Sequence, residues 1–277
     1  MPDETVTGDQ HPMSDHVLVK IGLHAGVAHD PCGEGLHLHL SPLLLEPDGH
    51  LDFGVLGVYL DLASSLAGEM VPFVHSDISI NRIARPAGEV IHVAARSLRA
   101  GRRTGVVHVE AHDETGRCIA DSTQPIVFMA PSTDGVFDVH DPAERRRKFF
   151  APFDGVCKLS GRLHDIIGIQ RVRRPDGDHW TMPNTPASRN GWGGLHGGVA
   201  FDLVTEAASG AAGSRPPAAA KSAFLRYLAP AITGPFRAVP TVLDQGDGAV
   251  FVCVDVHDDG NEGCLCIVGE VHLARTG

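Results

Sequence analysis

The sequence predicts an α+β fold that occurs twice within one chain of 277 residues. Three observations carry this. A fixed offset of 144 positions relates His196 to Asp52, Pro230-Ala231 to Pro86-Ala87, Val250 to Val106 and Gly260 to Gly116. Each half holds one long apolar stretch of helical length. Each stretch is followed by segments that alternate apolar and polar residues between Gly/Asp turns, the pattern of antiparallel strands. An offset that holds across a helix start, strands and a turn identifies two copies of one unit, and a helix wrapped by an antiparallel sheet is an α+β plan.

In the first copy a strand over 36–40 precedes the helix, which starts at Asp52-Phe-Gly-Val55 and runs through Leu66. Strands are expected at 75–83, 90–98, 104–113 and 117–129. Val106-Val-His-Val-Glu110 alternates cleanly, and Asp113-Glu-Thr-Gly116 supplies the turn. In the second copy a strand over 180–182 precedes a helix over 199–213. There Val250-Phe-Val-Cys-Val-Asp255 alternates and His257-Asp-Asp-Gly260 turns. A lone sheet edge is a liability, so two sheets joined edge to edge across an internal pseudo-twofold are expected. The expected divisions are a disordered N-terminus over 1–15, a first unit over 16–131, a connector over 132–150 and a second unit over 151–277.

Composition narrows the function. A formal net charge of −11 argues against nucleic acid or an anionic membrane surface as partner. The basic run Arg145-Arg-Arg-Lys148 falls in the connector and reads as a solvated helix face. Six cysteines, none in a CxxC spacing, read as reduced thiols of a cytoplasmic protein. The N-terminus lacks an apolar leader core, and no run is long enough to span a bilayer. Seventeen histidines invite a metal, but none has metalloprotease spacing on a helix. His37 and His39, two apart on a strand, are a weak pair. No metal and no cofactor are expected.

The chemistry concentrates where the copies differ. Asn190-Gly-Trp-Gly-Gly-Leu-His196-Gly-Gly198 opens the second helix with bare backbone N–H groups, a seat for an anion or a developing oxyanion. Nine residues after His196 stands Thr205; nine after Asp52, in the first copy, stands Asp61. A carboxylate in an apolar helix needs a use or a partner. Copy one therefore keeps an acid and lacks the glycine mouth, with Glu46 where Asn190 would correspond. Copy two keeps the mouth and lacks the acid. About 12 Å of helical rise separates mouth and acid within one helix, so they can meet only between helices. One composite site of Asn190, His196 and Gly197 with Asp61 is expected, and the reciprocal pairing is degenerate.

His-Gly-Gly-Val-Ala-Phe-Asp-Leu-Val, followed by an alanine-rich helix, resembles the helix signature of hotdog-fold thioesterases, in particular the phenylacetate-pathway (PaaI-type) branch acting on acyl-CoA. The resemblance covers both copies and implies a tandem, double-hotdog chain. It implies that the Gly197 N–H, helped by Asn190, polarises the thioester carbonyl, that His196 supports the helix mouth, and that Asp61 serves as general base or nucleophile. His75 falls where the family often has a water-holding hydroxyl residue. Gly198, Phe53 and Phe201 are candidate substrate contacts, with Trp192, Leu56 and Met70 as further possible acyl-tunnel residues. Arg82, Arg85, Lys221 and Arg226 are candidate contacts for CoA phosphates. Asp61 is expected to be a base of raised pKa in an apolar pocket. Assembly into homo-oligomers is also expected. The competing activities are an acyl-thioester or apolar-ligand binder that does not hydrolyse, and a hydratase. The hydratase needs an Asp followed five positions later by His, and no such pair occurs.

Overall fold

A computed structural model of the protein describes residues 16–26, 35–67, 72–129, 151, 153–175, 177–213, 218–246 and 248–275. The expected disordered N-terminus, the whole connector with its basic run, and Met70 lie outside them. In chain order the elements are α1 (Val17–Lys20), β1 (Leu23–Gly26), β2 (Gly35–His39), α2 (Phe53–Ala67), β3 (Phe73–His75), β4 (Asp77–Arg82), β5 (Val90–Ala100), β6 (Thr104–Asp113) and β7 (Cys118–Phe128). There follow α3 (Leu163–Ile167), β8 (Gln170–Val172), β9 (His179–Met182), α4 (Gly197–Ala211), β10 (Ala218–Tyr227), β11 (Phe236–Gln245), β12 (Ala249–Asp258) and β13 (Cys264–Arg275).

The strands form one 13-stranded antiparallel sheet in the order β1-β2-β5-β6-β7-β4-β10-β13-β12-β11-β9-β8, with β3 paired to β7. This corrects the expectation of two sheets. β4 and β10 hydrogen-bond to each other, so the two edges that would have been exposed fuse into one continuous ladder. Their register carries the offset of 144 found in the sequence. Asn81 faces Ser222 and Ile78 faces Leu225, and each member of the first pair is the counterpart of one in the second.

The alternation in the strands becomes one buried face. Val107, Val109 and Ala111 of β6 and Val250, Val252, Val254 and Val256 of β12 point inward, while their neighbours are more exposed. α2 packs on the β2–β7 half of the sheet and α4 on the β9–β13 half, and the two helices pack on each other. α2 is apolar nearly all round, as a helix covered on every side must be. The Tyr59 hydroxyl donates to the Leu36 and Ile91 carbonyls at 2.8 and 3.0 Å, tying α2 to two strands.

Glycines set how near the helices come. A Cβ on Gly198 would lie 2.5 Å from the Gly57 carbonyl oxygen, and one on Gly57 2.5 Å from that of Gly198. Only residues without a side chain permit this backbone contact. The close crossing brings Asp61, about one turn further along α2, to the start of α4.

Candidate active site

His196 is the N-cap of α4, in an extended conformation, and its Nδ1 accepts the Gly198 N–H at 3.1 Å. Asp61 arrives at the same point from α2. Its Oδ2 accepts the Gly198 N–H at 2.6 Å and lies 3.2 Å from His196 Nδ1, while its Oδ1 lies 3.1 Å from His75 Nδ1. The mouth of one helix and the acid of the other therefore do meet. The Gly197 N–H, first in the helix, has no acceptor among the described residues. A Cβ at Gly197 would come within 3.1 Å of Asp61 Oδ2, so that position too is held open by glycine.

Burial alone would raise the Asp61 pKa. The charges of His75 and His196, with hydrogen bonds from His75 and the Gly198 N–H, outweigh it and hold the carboxyl at about 2. Asp61 is thus an ionised carboxylate over the whole working range. The expected raised pKa is corrected, because tertiary structure surrounds this carboxyl with donors instead of hydrocarbon. His196 is lowered, chiefly by burial. His16 stacks edge-on behind it, ring centroids 5.8 Å apart, and is lowered to about 4 by burial and by the nearby His196.

Two residues missed in the sequence complete the arrangement. Ser64 Oγ lies 3.1 Å from His75 Nε2 and donates to the Asp61 carbonyl at 2.7 Å. The Ser64–His75–Asp61 connectivity is that of a hydrolytic triad, but Ser64 is fully buried and its hydroxyl is held within α2. It orients His75 and has no path to a substrate. Its place three residues after Asp61, on the same helix face, was a usable signal. Tyr227 donates its hydroxyl to the Gly197 carbonyl at 2.9 Å and fixes the plane of that peptide. No local pattern marks it.

Asn190 borders the site, but its amide braces the loop before α4. Oδ1 accepts the Trp192 and Gly194 N–H groups at 2.9 and 3.1 Å, and Nδ2 donates to the Leu195 carbonyl at 3.2 Å. One Nδ2 hydrogen is left over. Gly198 is buried in the helix crossing with its N–H engaged. Phe53 and Phe201 pack near each other, centroids 6.2 Å apart, in the core between the helices. Neither lines the Asp61 cavity, and Leu56 is likewise core. Apolar residues on the crossing faces of two helices are consumed by that crossing. The cavity, about 510 Å³, is instead walled by Phe73, Val74, Met129, Trp192, Leu228 and Ile267 around Asp61, His75 and Gly197. Arg82 is buried against Glu46 at 2.5 Å, and Arg226 pairs with Asp77 at 3.0 Å, so neither is a free phosphate contact.

The matching position at the start of α2 is built differently. Asp52 caps its own helix, accepting the Val55 N–H at 3.1 Å. Thr205 turns its hydroxyl back onto the Phe201 carbonyl at 2.7 Å. A cavity of about 690 Å³ opens there, bordered by Asp52, Phe53, Arg162, His164, Asp202 and Glu206. Burial pushes the Asp202 carboxyl well up, helped by the neighbouring Asp52, and pushes Asp52, Glu206 and Glu46 up as well.

No family model matches the chain, and no curated protein matches its sequence. Its fold is shared with solved structures. A tesB protein of Mycobacterium avium subspecies paratuberculosis superposes with a TM-score of 0.61 at 11% identity, covering 94% of this chain and 98% of that one. A conserved protein of unknown function with a hot dog fold, from Alicyclobacillus acidocaldarius, gives 0.58 at 12% identity, over 95% and 98% of the two chains. A 12:0-ACP thioesterase from Umbellularia californica gives 0.57 at 11% identity, over 87% and 93%. The architecture is therefore that of hotdog-fold proteins. Among the described residues, no helix is long and apolar enough to cross a membrane.

Proposed function

We propose that the protein is a thioester hydrolase of tandem, double-hotdog build. Its single active site lies between the two repeats, and an acyl-CoA of the kind taken by the PaaI-type branch is the substrate class. The observation that carries this is the pairing of an ionised carboxylate from α2 with an amide at the start of α4 that has no acceptor among the described residues, both lining an apolar cavity. The names of two structural neighbours, a tesB protein and an acyl-ACP thioesterase, lend support. So does the self-matching register of β4 with β10.

In this reading the acyl group occupies the apolar cavity with its carbonyl oxygen on the Gly197 N–H. Water adds to the carbonyl carbon and its proton passes to the Asp61–His75 pair. The tetrahedral oxyanion stays on the Gly197 amide, a donor of the kind whose loss costs about 3–4 kcal/mol of transition-state stabilisation. Collapse breaks the C–S bond, and the thiolate takes up the proton. A carboxylate with pKa near 2 is a weak base, so His75 shares the proton. Direct attack by Asp61 is the competing route. The outer strand β8 has no further strand beside it among the described residues, and that edge favours further assembly of the chain.

The test is thiol release from a panel of acyl-CoAs by the wild-type chain and by Asp61→Asn. Turnover that is lost in the variant is expected. Intact acyl-CoA retained by the wild type without thiol release would establish a binder instead. A single turnover in ¹⁸O water tests the covalent route: label in Asp61 means an acyl–Asp61 anhydride opened at the Asp61 carboxyl carbon.

A further inference from the structure

The cavity at the start of α2 has no role in thioester hydrolysis, yet it gathers acids that a degenerate site does not need. Most of its wall is accounted for. Glu46 pairs with Arg82, Asp48 with His50 at 2.9 Å, Asp52 caps α2, and Arg162 donates to the Leu45 carbonyl at 2.7 Å. Three groups remain. Asp202 is 2% exposed, borders the cavity, and its Oδ2 has no hydrogen-bond partner among the described residues. Among the described residues, Glu206 has only His164, whose Nδ1 lies 3.7 Å away, and that buried Nδ1 makes no hydrogen bond either. One ligand atom from each of the three falls within 4.8 Å of the others.

We propose that His164, Asp202 and Glu206 form a binding site for a first-row divalent cation, Zn²⁺ or Mn²⁺ being the natural probes. A buried carboxylate oxygen without a donor is costly unless it is paired or coordinates a metal. Asp202 and Glu206, four apart on α4, project from one helix face, so the helix itself sets their spacing. His164 comes from α3, a separate short helix, so the ion would pin α3 onto α4. One imidazole and two carboxylates suit Zn²⁺ or Mn²⁺ better than a cation preferring only oxygen. The cavity leaves room for water in the remaining coordination positions. Arg162 borders the same space, so the carboxylates, not the net charge of the wall, must supply the affinity.

The experiment strips the full chain with a chelator, removes the chelator, and titrates Zn²⁺ and Mn²⁺ separately by calorimetry and by thermal melting. One equivalent bound at the site is expected, with a raised melting temperature because the ion binds only the folded chain. Glu206→Gln, at a half-exposed position that does not threaten folding, should weaken this binding tenfold or more, as should Asp202→Asn. His112→Gln, in the half-buried group Glu110, His112 and Cys118, should leave it unchanged. Two results would overturn the proposal. One is no binding of either ion up to about 1 mM, the range of very weak affinity. The other is binding of wild-type strength in both Glu206→Gln and His164→Gln, which would place the ion elsewhere.

Discussion

The starts of α2 and α4 are the same structural position, 144 residues apart, and they are finished in opposite ways. At α4 the anion comes from the other helix: Asp61 reaches across and takes the Gly198 N–H at 2.6 Å, leaving the Gly197 amide open. At α2 the anion comes from the same helix: Asp52 caps Val55, and the counterpart of Asp61, Thr205, folds its hydroxyl onto its own backbone. A carboxylate supplied across the crossing can act on something held at the mouth. A carboxylate supplied in place is a cap. The electrostatics follow suit, since donors pull Asp61 down while burial pushes Asp202 up.

Making the halves alike is the strongest way to break this comparison. Asp61→Thr gives both helices the residue of copy two, and turnover of a cleaved acyl-CoA should fall about a thousandfold, the scale of losing a proton-handling group. A fall of less than tenfold would remove Asp61 from the chemistry. Gly197→Ala is next. Its Cβ would crowd Asp61 Oδ2 at 3.1 Å and Tyr227 Oη at 3.3 Å, and displaced groups should lower kcat by roughly tenfold or more without unfolding the chain. A wild-type kcat would show that the mouth is looser than its geometry.

Tyr227→Phe removes one hydrogen bond to the Gly197 carbonyl, so a several-fold loss in kcat/KM is expected, corresponding to about 1 kcal/mol. Thr205→Val should change the rate by less than about twofold, since that hydroxyl serves only its own helix. A larger drop would mean that the second mouth takes part.

Acid stability sharpens the same contrast. The folded pKa of Asp61 lies below that of the unfolded chain, so its contribution is fully present above pH 3.8 and is lost as the pH falls towards 2. At nearly two units this is about 2 kcal/mol. Urea melts across that window should be flatter for Asp61→Asn than for the wild type, and equal slopes would contradict the depressed pKa.

Much of this was legible in the residues. Alternation placed the long strands, Gly/Asp turns bounded them, and the offset of 144 reappears in the register of β4 with β10. The pairing of Asp61 with the Gly197 mouth followed from what each copy lacked. The argument that singled out Asp61, a carboxyl inside an apolar helix, applies equally to Asp202 within Phe201-Asp-Leu-Val, and would have revealed the second cavity. Phe53 and Phe201 lie in the helix crossing and outside the Asp61 cavity, and Asn190 borders that cavity while bracing the loop before α4, because local pattern cannot tell a side chain lining a cavity from one packed in a crossing.

The sequence by itself determined the periodic elements and the placing of the glycine mouth on one apolar helix and the acid on the other, because those depend on neighbours along the chain. The tertiary structure alone decided that the two sheets are one, that Ser64 and Tyr227 hold the site, and that two buried carboxyls are shifted in opposite directions, Asp61 down and Asp202 up. Each of these depends on which donors and edges arrive from distant segments. A carboxyl's charge is fixed by the groups within a few ångströms of it, whatever their distance along the chain.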